Sequence, residues 1–249
     1  MLSLIPISDA NPTRRFPIVT VALIVLNALS FLAEPEFGGG IEGSVYFFDN
    51  APIPCQLSES CPAGIDLGPR AVRIPERGPV EFLIAVVIST FLHAGFLHII
   101  GNMLFLWVFG NNIEDYLGRV RFLIFYLVGG IAASFAHILT HASSVLPTVG
   151  ASGAVAAVMG GYLVLYPKAR VNVLVPIFFF FSVIQMSAIA VLGLWFVYQF
   201  FIGLQEASGN TAVAWMAHVG GFAYGVVIIY LLGGRPQRPQ MVWRPEWRY

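Results

Sequence analysis

From residue 16 onward the chain alternates long apolar runs with short polar breaks. Residues 16–33 form the first run, long enough to cross ~30 Å of hydrocarbon at ~1.5 Å per residue. The second, 82–109, ends at Asn111, Asn112, Glu114, Asp115 and Gly118. The third covers 122–139, and the fourth, 149–166, closes on Pro167-Lys168-Ala169-Arg170. Residues 171–204 are also apolar, but one helix of that length would run ~50 Å, and Pro176 lies inside it. We read 171–182 as an interfacial or re-entrant stretch, 183–204 as the fifth span and 211–232 as the sixth. The pattern predicts an all-α membrane protein of six transmembrane helices over 16–232.

The polar segments fill in the organisation. Residues 1–15 precede the first span and end in Arg14-Arg15. The run 16–33 is long for a signal-peptide core, and Phe31-Leu32-Ala33 is a poor cleavage site, so it reads as a span. Residues 34–81 form a long loop rich in Pro, Gly and acids, with short interfacial helices expected at its start and around 45–48. Its two cysteines, Cys55 and Cys61, are as readily two free thiols as a small disulfide. Residues 205–210 make a short polar loop, and 233–249 form a tail with Pro and Arg throughout. With six spans, Arg14, Arg15, Arg119, Arg121, Lys168, Arg170, Arg235, Arg238, Arg244 and Arg248 fall on one side. Short loops dominate the positive-inside rule, so both termini are expected in the cytoplasm and the 34–81 loop outside.

Composition agrees. Of 249 residues 57% are hydrophobic and 10% charged, where a soluble domain carries about 25% charged residues. The formal net charge is zero, which gives no ground for a nucleic-acid partner. No Cys/His spacing suggests a structural zinc site.

Three polar groups stand inside the apolar segments. The first is Gly150-Ala151-Ser152-Gly153, at the start of the fourth span. A helix N-terminus presents free N–H groups and a positive dipole end, which favour an oxyanion beside a serine. Gly150 and Gly153 permit close backbone approach. Alone, the motif fits a small-residue helix contact better than a nucleophile. The second group is His98 with Asn102, four apart and so on one helix face, each with a side-chain N–H to offer. A helix–helix hydrogen bond explains that pair equally well, although polar residues at membrane depth are functional candidates. The third is His218, heading Gly221 and Gly225 on a small-residue face. Those glycines would let the sixth span press on the fourth and bring His218 to Ser152, the minimum for activating a nucleophile. No acid stands at that depth, because Glu114 and Asp115 lie at the inner end of span 2 and Glu206 in an outer loop. A Ser–His dyad is therefore expected rather than a triad. His93 reads as a structural hydrogen-bonder, and His137 and His141 carry no assigned catalytic role.

Taken together these stretches resemble the rhomboid family of intramembrane serine proteases. The resemblance rests on Phe91-Leu92-His93-Ala94-Gly95-Phe96-Leu97-His98-Ile99-Ile100-Gly101-Asn102, then Gly150-Ala151-Ser152-Gly153, then Ala217-His218-Val219-Gly220-Gly221, with Glu114 beyond Gly110. It implies a six-helix rhomboid fold in which Ser152 attacks a peptide carbonyl of a substrate's transmembrane segment and His218 shuttles the proton. His98, Asn102 and the Ser152 N–H would hold the oxyanion. Span 5 and the 205–210 loop would act as gate and cap, with no metal or other cofactor. The partners implied are transmembrane proteins and the bilayer, and the oligomeric state stays open. Two features depart from the family. Ala156 stands where many members carry a tyrosine under the base, which leaves the orientation of His218 unexplained, and the first loop lacks a clear Trp-Arg pair. One rival is an inactive rhomboid-like protein that binds and escorts transmembrane clients. Another is a transporter or metal handler using His93, His98 and His218, which lacks carboxylates at membrane depth. The short termini and absence of a presequence point to a bacterial cytoplasmic membrane.

Overall fold

The computed structural model describes residues 5–68, 70–177, 180–207 and 213–235. Its spans are helical. They comprise α1 (Ile18–Ala33), α4 (Phe96–Leu117), α5 (Arg119–Thr140), α6 (Ser152–Leu165), α7 (Ala188–Ala207) and α8 (Trp215–Leu231). Two shorter helices, α2 (Gly40–Asn50) and α3 (Pro79–Ser89), lie between α1 and α4. Among the described residues α4, α5 and α7 are each long and apolar enough to cross a bilayer unaided. The others are shorter apolar helices, and α6 is the most enclosed, with every residue from Gly153 to Tyr162 buried. A helix that is apolar all round belongs at the centre of a bundle, and α6 sits there, packed on α4, α5 and α8.

Small residues permit this packing. A Cβ on Gly225 would stand 1.9 Å from the Ala157 carbonyl oxygen, and one on Gly221 would stand 2.1 Å from that of Gly153. From the α6 side, a Cβ on Gly160 would stand 2.1 Å from the Phe222 carbonyl oxygen. These obstacles are backbone atoms, so the helices must part to admit a methyl group. Gly225→Ala is therefore expected to lower stability by about 1–3 kcal/mol, the usual cost of overpacking. An unchanged midpoint on thermal unfolding in detergent would contradict this packing.

One end of the bundle is tied by strands and by a carboxylate. Strand β1 (Ile5–Asp9) pairs antiparallel with β4 (Arg170–Ile177), which pairs with β5 (Phe180–Ser187), so the order is β1-β4-β5. The β4–β5 register runs from Arg170 opposite Ser187 to Ile177 opposite Phe180. Here the structure corrects two expectations. Among the described residues, 171–177 and 180–182 are strand rather than an interfacial or re-entrant stretch, and the fifth span starts at Ala188 rather than 183. The physical reason is a period of two, with Val171, Val173 and Val175 buried in the core and Asn172 facing Ser8 and Gln185.

The segment before span 1 is likewise part of the fold. The Asp9 carboxylate accepts from Asn112 Nδ2 at 2.9 Å and from the Tyr162 hydroxyl at 2.5 Å, and Asn11 donates to Asn112. Burial pushes the Asp9 carboxyl up to about 6 in spite of those bonds. Glu114 accepts from the Val19 and Thr20 N–H groups and from the Thr20 hydroxyl at 2.8–3.0 Å. It thereby caps the open N-terminus of α1 from another helix, where a negative charge is favoured.

The second expected span, 82–109, is two helices. After α3 the chain breaks over residues 90–95, with Gly95 at φ +110°, and resumes as α4. Asn111, Asn112, Glu114 and Asp115 lie inside α4, which ends at Gly118, a glycine at φ +77°.

The 34–81 loop is a folded cap at the opposite end. It contains α2, a two-stranded ribbon of β2 (Gly64–Asp66) and β3 (Ala71–Arg73), and a core of Phe48, Ile53, Cys55, Val72 and Ile74. Cys55 and Cys61 are bridged. Arg77 reaches into the cap and donates to Gln56 and to the Phe48 and Asp49 carbonyls. The cap rests on the turn after α5. Cys55 N–H donates to the Ser144 carbonyl, and Thr148 N–H donates to that of Pro52. Residues 205–207 of the expected loop continue α7, while 208–210 and most of the 233–249 tail lie outside the described residues.

Candidate active site

Ser152 is the first residue of α6, directly after Gly150 and Ala151. Gly150 holds φ +126°, a conformation that favours glycine, and its N–H donates to the Ser89 carbonyl at 2.9 Å. That bond pins the α5–α6 connection to α3 and fixes where the serine emerges. The first N–H groups of a helix have no intrahelical partner, so those of Ser152 and Gly153 stand beside the hydroxyl.

His218 comes from the first turn of α8, and its Nε2 lies 2.8 Å from Ser152 Oγ. The close packing at Gly221 and Gly225 brings α8 this near to α6. The Nδ1 of His218 lies 2.7 Å from Oε1 of Gln199 on α7, and the Trp195 ring centroid is 5.8 Å from that of the imidazole. Ala156 is fully buried. The aromatic neighbour that the sequence lacks at position 156 is thus supplied by Trp195. Gln199 and Trp195 escaped the sequence reading. Gln199 had a usable signal as the single polar side chain in the middle of an apolar helix.

His98 approaches from α4. The Ala94 N–H donates to its Nδ1 at 3.3 Å, so in the neutral ring the proton sits on Nε2. That edge of the ring faces Gly150. A Cβ placed there would stand 2.9 Å from His98 Nε2 and 3.4 Å from Ser152 Oγ. One N–H of the Asn102 amide donates to the His98 carbonyl at 3.0 Å, and the other is left for the cavity. A cavity of about 1150 Å³ is lined by Ser152, His218, His98, Asn102, Gln199 and Trp195, with α4 and α7 as its walls. The structure therefore brings all four sequence-predicted polar residues to one space, while Gly153, Gly221 and Gly225 lie in the helix contacts beneath it.

His93 stands apart from this group. It is buried in the break between α3 and α4, its ring 5.2 Å from that of His98. Its backbone N–H, not its ring, donates to the Glu34 carboxylate at 3.1 and 3.3 Å, which ties the break to the end of α1. Burial raises the Glu34 carboxyl from 4.5 to about 7, against the pull of that bond. A raised carboxyl means that the folded protein holds the proton more tightly than the unfolded chain. The resulting stabilisation is complete below about pH 4.5 and is lost as pH rises through about 7. Glu34→Gln is expected to remove that slope, so the variant gains on wild type between about pH 5 and about pH 8. A shift in unfolding midpoint that is equal at every pH would contradict this.

Among the described residues no three His, Cys, Asp or Glu side chains gather where they could hold a metal ion.

The family profile described as Rhomboid domain matches residues 81–235, more than half of the chain and all of the helices that line the cavity. The chain belongs to the rhomboid family. Named rhomboid relatives come from an animal, a plant and a fungus. Zebrafish presenilin-associated rhomboid-like protein A, mitochondrial, is 33% identical over 147 residues, 57% of this chain and 35% of that protein. RHOMBOID-like protein 5 of Arabidopsis thaliana is 29% identical over 181 residues, 73% of this chain and 53% of the relative. Rhomboid protein 1, mitochondrial, of Saccharomyces cerevisiae is 36% identical over 92 residues, 35% of this chain and 27% of the relative. The chain thus spans about a quarter to a half of the length of these relatives. They support an integral multi-span rhomboid protein. Two of the three are mitochondrial by name, so the expected bacterial type and bacterial cytoplasmic membrane find no support in them.

Proposed function

We propose that this rhomboid protein is an intramembrane serine endopeptidase that cleaves transmembrane proteins in or near their spanning segments. The observation that carries the reading is the 2.8 Å approach of His218 Nε2 to Ser152 Oγ at the foot of a cavity walled by membrane helices. That distance is within reach for general-base activation of a hydroxyl.

The chemistry follows from the geometry. Ser152 Oγ attacks the scissile carbonyl while His218 Nε2 takes its proton. The resulting oxyanion is met by the Nε2–H of His98, the free N–H of Asn102 and the backbone N–H of Ser152. His218 then returns the proton to the leaving amine, and a water activated by the same imidazole releases the acyl group from Ser152. No further group has to enter the reaction. The α4 and α7 walls supply an apolar surround in which hydrogen bonds to the oxyanion gain strength.

Both termini lie on the cytoplasmic side in this reading. Arg14, Arg119 and Arg170 gather at one end of the bundle, where Arg14 N–H meets Asp115 and Ala10 N–H meets the Arg170 carbonyl. The bridged Cys55–Cys61 loop occupies the other end, as suits an oxidising compartment.

The test is cleavage of a labelled single-span protein by the purified chain in detergent micelles, with Ser152→Ala and His218→Ala beside wild type. Cleavage by wild type and none by either folded variant is the expected result. An inert wild type would favour the escort reading, in which the fold binds transmembrane clients without cutting them.

A further inference from the structure

We infer that Gln199 is the positioning residue of the base, the group that holds His218 in the tautomer and rotation able to deprotonate Ser152. The inference rests on the dyad reading above and extends it to a third side chain.

The amide of Gln199 is oriented from below. Its Nε2 donates to the Trp195 carbonyl one turn earlier, at 3.4 Å, which leaves Oε1 directed at His218 Nδ1 at 2.7 Å. An amide oxygen can only accept. Nδ1 must therefore carry the ring proton, and the Nε2 lone pair is left to face Ser152 Oγ at 2.8 Å. Were the amide reversed, its N–H would donate to Nδ1 and the proton would move to Nε2, where the imidazole could not act as a base. The tie to Trp195 opposes that reversal.

The setting of Gln199 points the same way. It is 2% exposed, whereas its neighbours Val197, Tyr198, Phe200 and Phe201 are 39–59% exposed. The buried position on an otherwise outward-facing stretch of helix is thus given to a polar side chain. Apolar packing would fill that space at lower desolvation cost. Trp195, one turn away, lies against the same imidazole. Together they do from α7 what a tyrosine at position 156 would do from α6. Because Gln199 rides on α7 and His218 on α8, the base is oriented only while those two helices stay packed.

The test uses the full chain in micelles, with a labelled single-span substrate and a fluorophosphonate probe as independent readouts. Gln199→Leu and Gln199→Met remove the acceptor, and methionine keeps the length and flexibility of the side chain. Both are expected to lower kcat by ~10–100-fold, by analogy with the outer hydrogen-bond partners that orient metal-ligating histidines. KM should be unchanged, and probe labelling should slow by the same factor. Gln199→Glu restores an acceptor opposite Nδ1–H and is expected to recover most of the rate. In the wild type, ¹⁵N shifts of His218 should show a protonated Nδ1 and an unprotonated Nε2, a readout that needs no variant to fold.

Wild-type kcat in folded Leu and Met variants would overturn the proposal, as would a lowered unfolding midpoint with kcat intact, which assigns the bond to helix packing. A rise in KM alone, or an Nε2–H tautomer in the wild type, would overturn it equally. If wild type is active and Ser152→Ala dead while the Gln199 variants keep full rate, Gln199 alone is wrong. If wild type neither cleaves nor labels, the dyad reading fails and this proposal falls with it.

Discussion

Replacing Ser152 by alanine is expected to lower kcat by on the order of 10⁴–10⁶, the cost of removing a nucleophile or its base from a serine hydrolase. His218→Ala should lose a similar factor, and the double variant should be no worse than either single one. Groups that act as one unit are strongly non-additive, because once the hydroxyl is gone the base has nothing to deprotonate. That non-additivity separates a dyad from two polar residues that merely share a cavity. Two independent helix-packing residues would instead add their losses, and would lower stability as they did so. The structure gives little reason to expect a large stability loss from Ser152→Ala. The hydroxyl's partner is the His218 ring, and the α6–α8 contact is made beneath it by Gly153, Gly221, Ala157 and Gly225. Wild-type unfolding midpoints with no cleavage are the expected pair of results, and residual cleavage at wild-type rate would remove Ser152 from the mechanism.

The second large effect belongs to His98. Its tautomer is set by the Ala94 N–H on Nδ1, which turns the Nε2–H toward Gly150 and Ser152. A donor held there before the reaction needs no reorganisation as charge develops on the carbonyl oxygen, and losing one such donor costs ~10²–10³ in kcat. His98→Ala is expected to fall in that range with KM little altered, because the bond strengthens as the oxyanion forms. Asn102→Ala should cost less, since one of its N–H groups is already spent on the His98 carbonyl. A His98→Ala variant that loses affinity but keeps kcat would mean that the residue binds substrate rather than the oxyanion.

Much of this arrangement was legible in the chain because each signal was local. The runs at 16–33, 122–139, 149–166 and 211–232 correspond to α1, α5, α6 and α8 within a few residues, as apolar length alone would have it. The glycines at 221 and 225 marked the face of α8 that meets α6, because only small residues allow backbones that close. What stayed hidden depended on partners distant in sequence. Val171, Val173 and Val175 alternate as a strand should. The residues between and after them are also largely apolar, however, and β1, the other strand pairing with β4, lies some 160 residues earlier. The break before α4 rests on one glycine at positive φ and on the Glu34–His93 contact from another segment. The spacing of Cys55 and Cys61 allowed a bridge or two thiols, and the choice follows from how the cap folds. Gln199 looked like one polar residue in an apolar run until α7 was laid against α8.

The most direct test of the central claim is reaction of the purified protein with a fluorophosphonate, followed by mass spectrometry of the labelled peptide. The account predicts one adduct per chain, on Ser152, formed by wild type and lost in His218→Ala. A folded wild-type protein that takes up no label, or carries it on any other residue, would contradict the account.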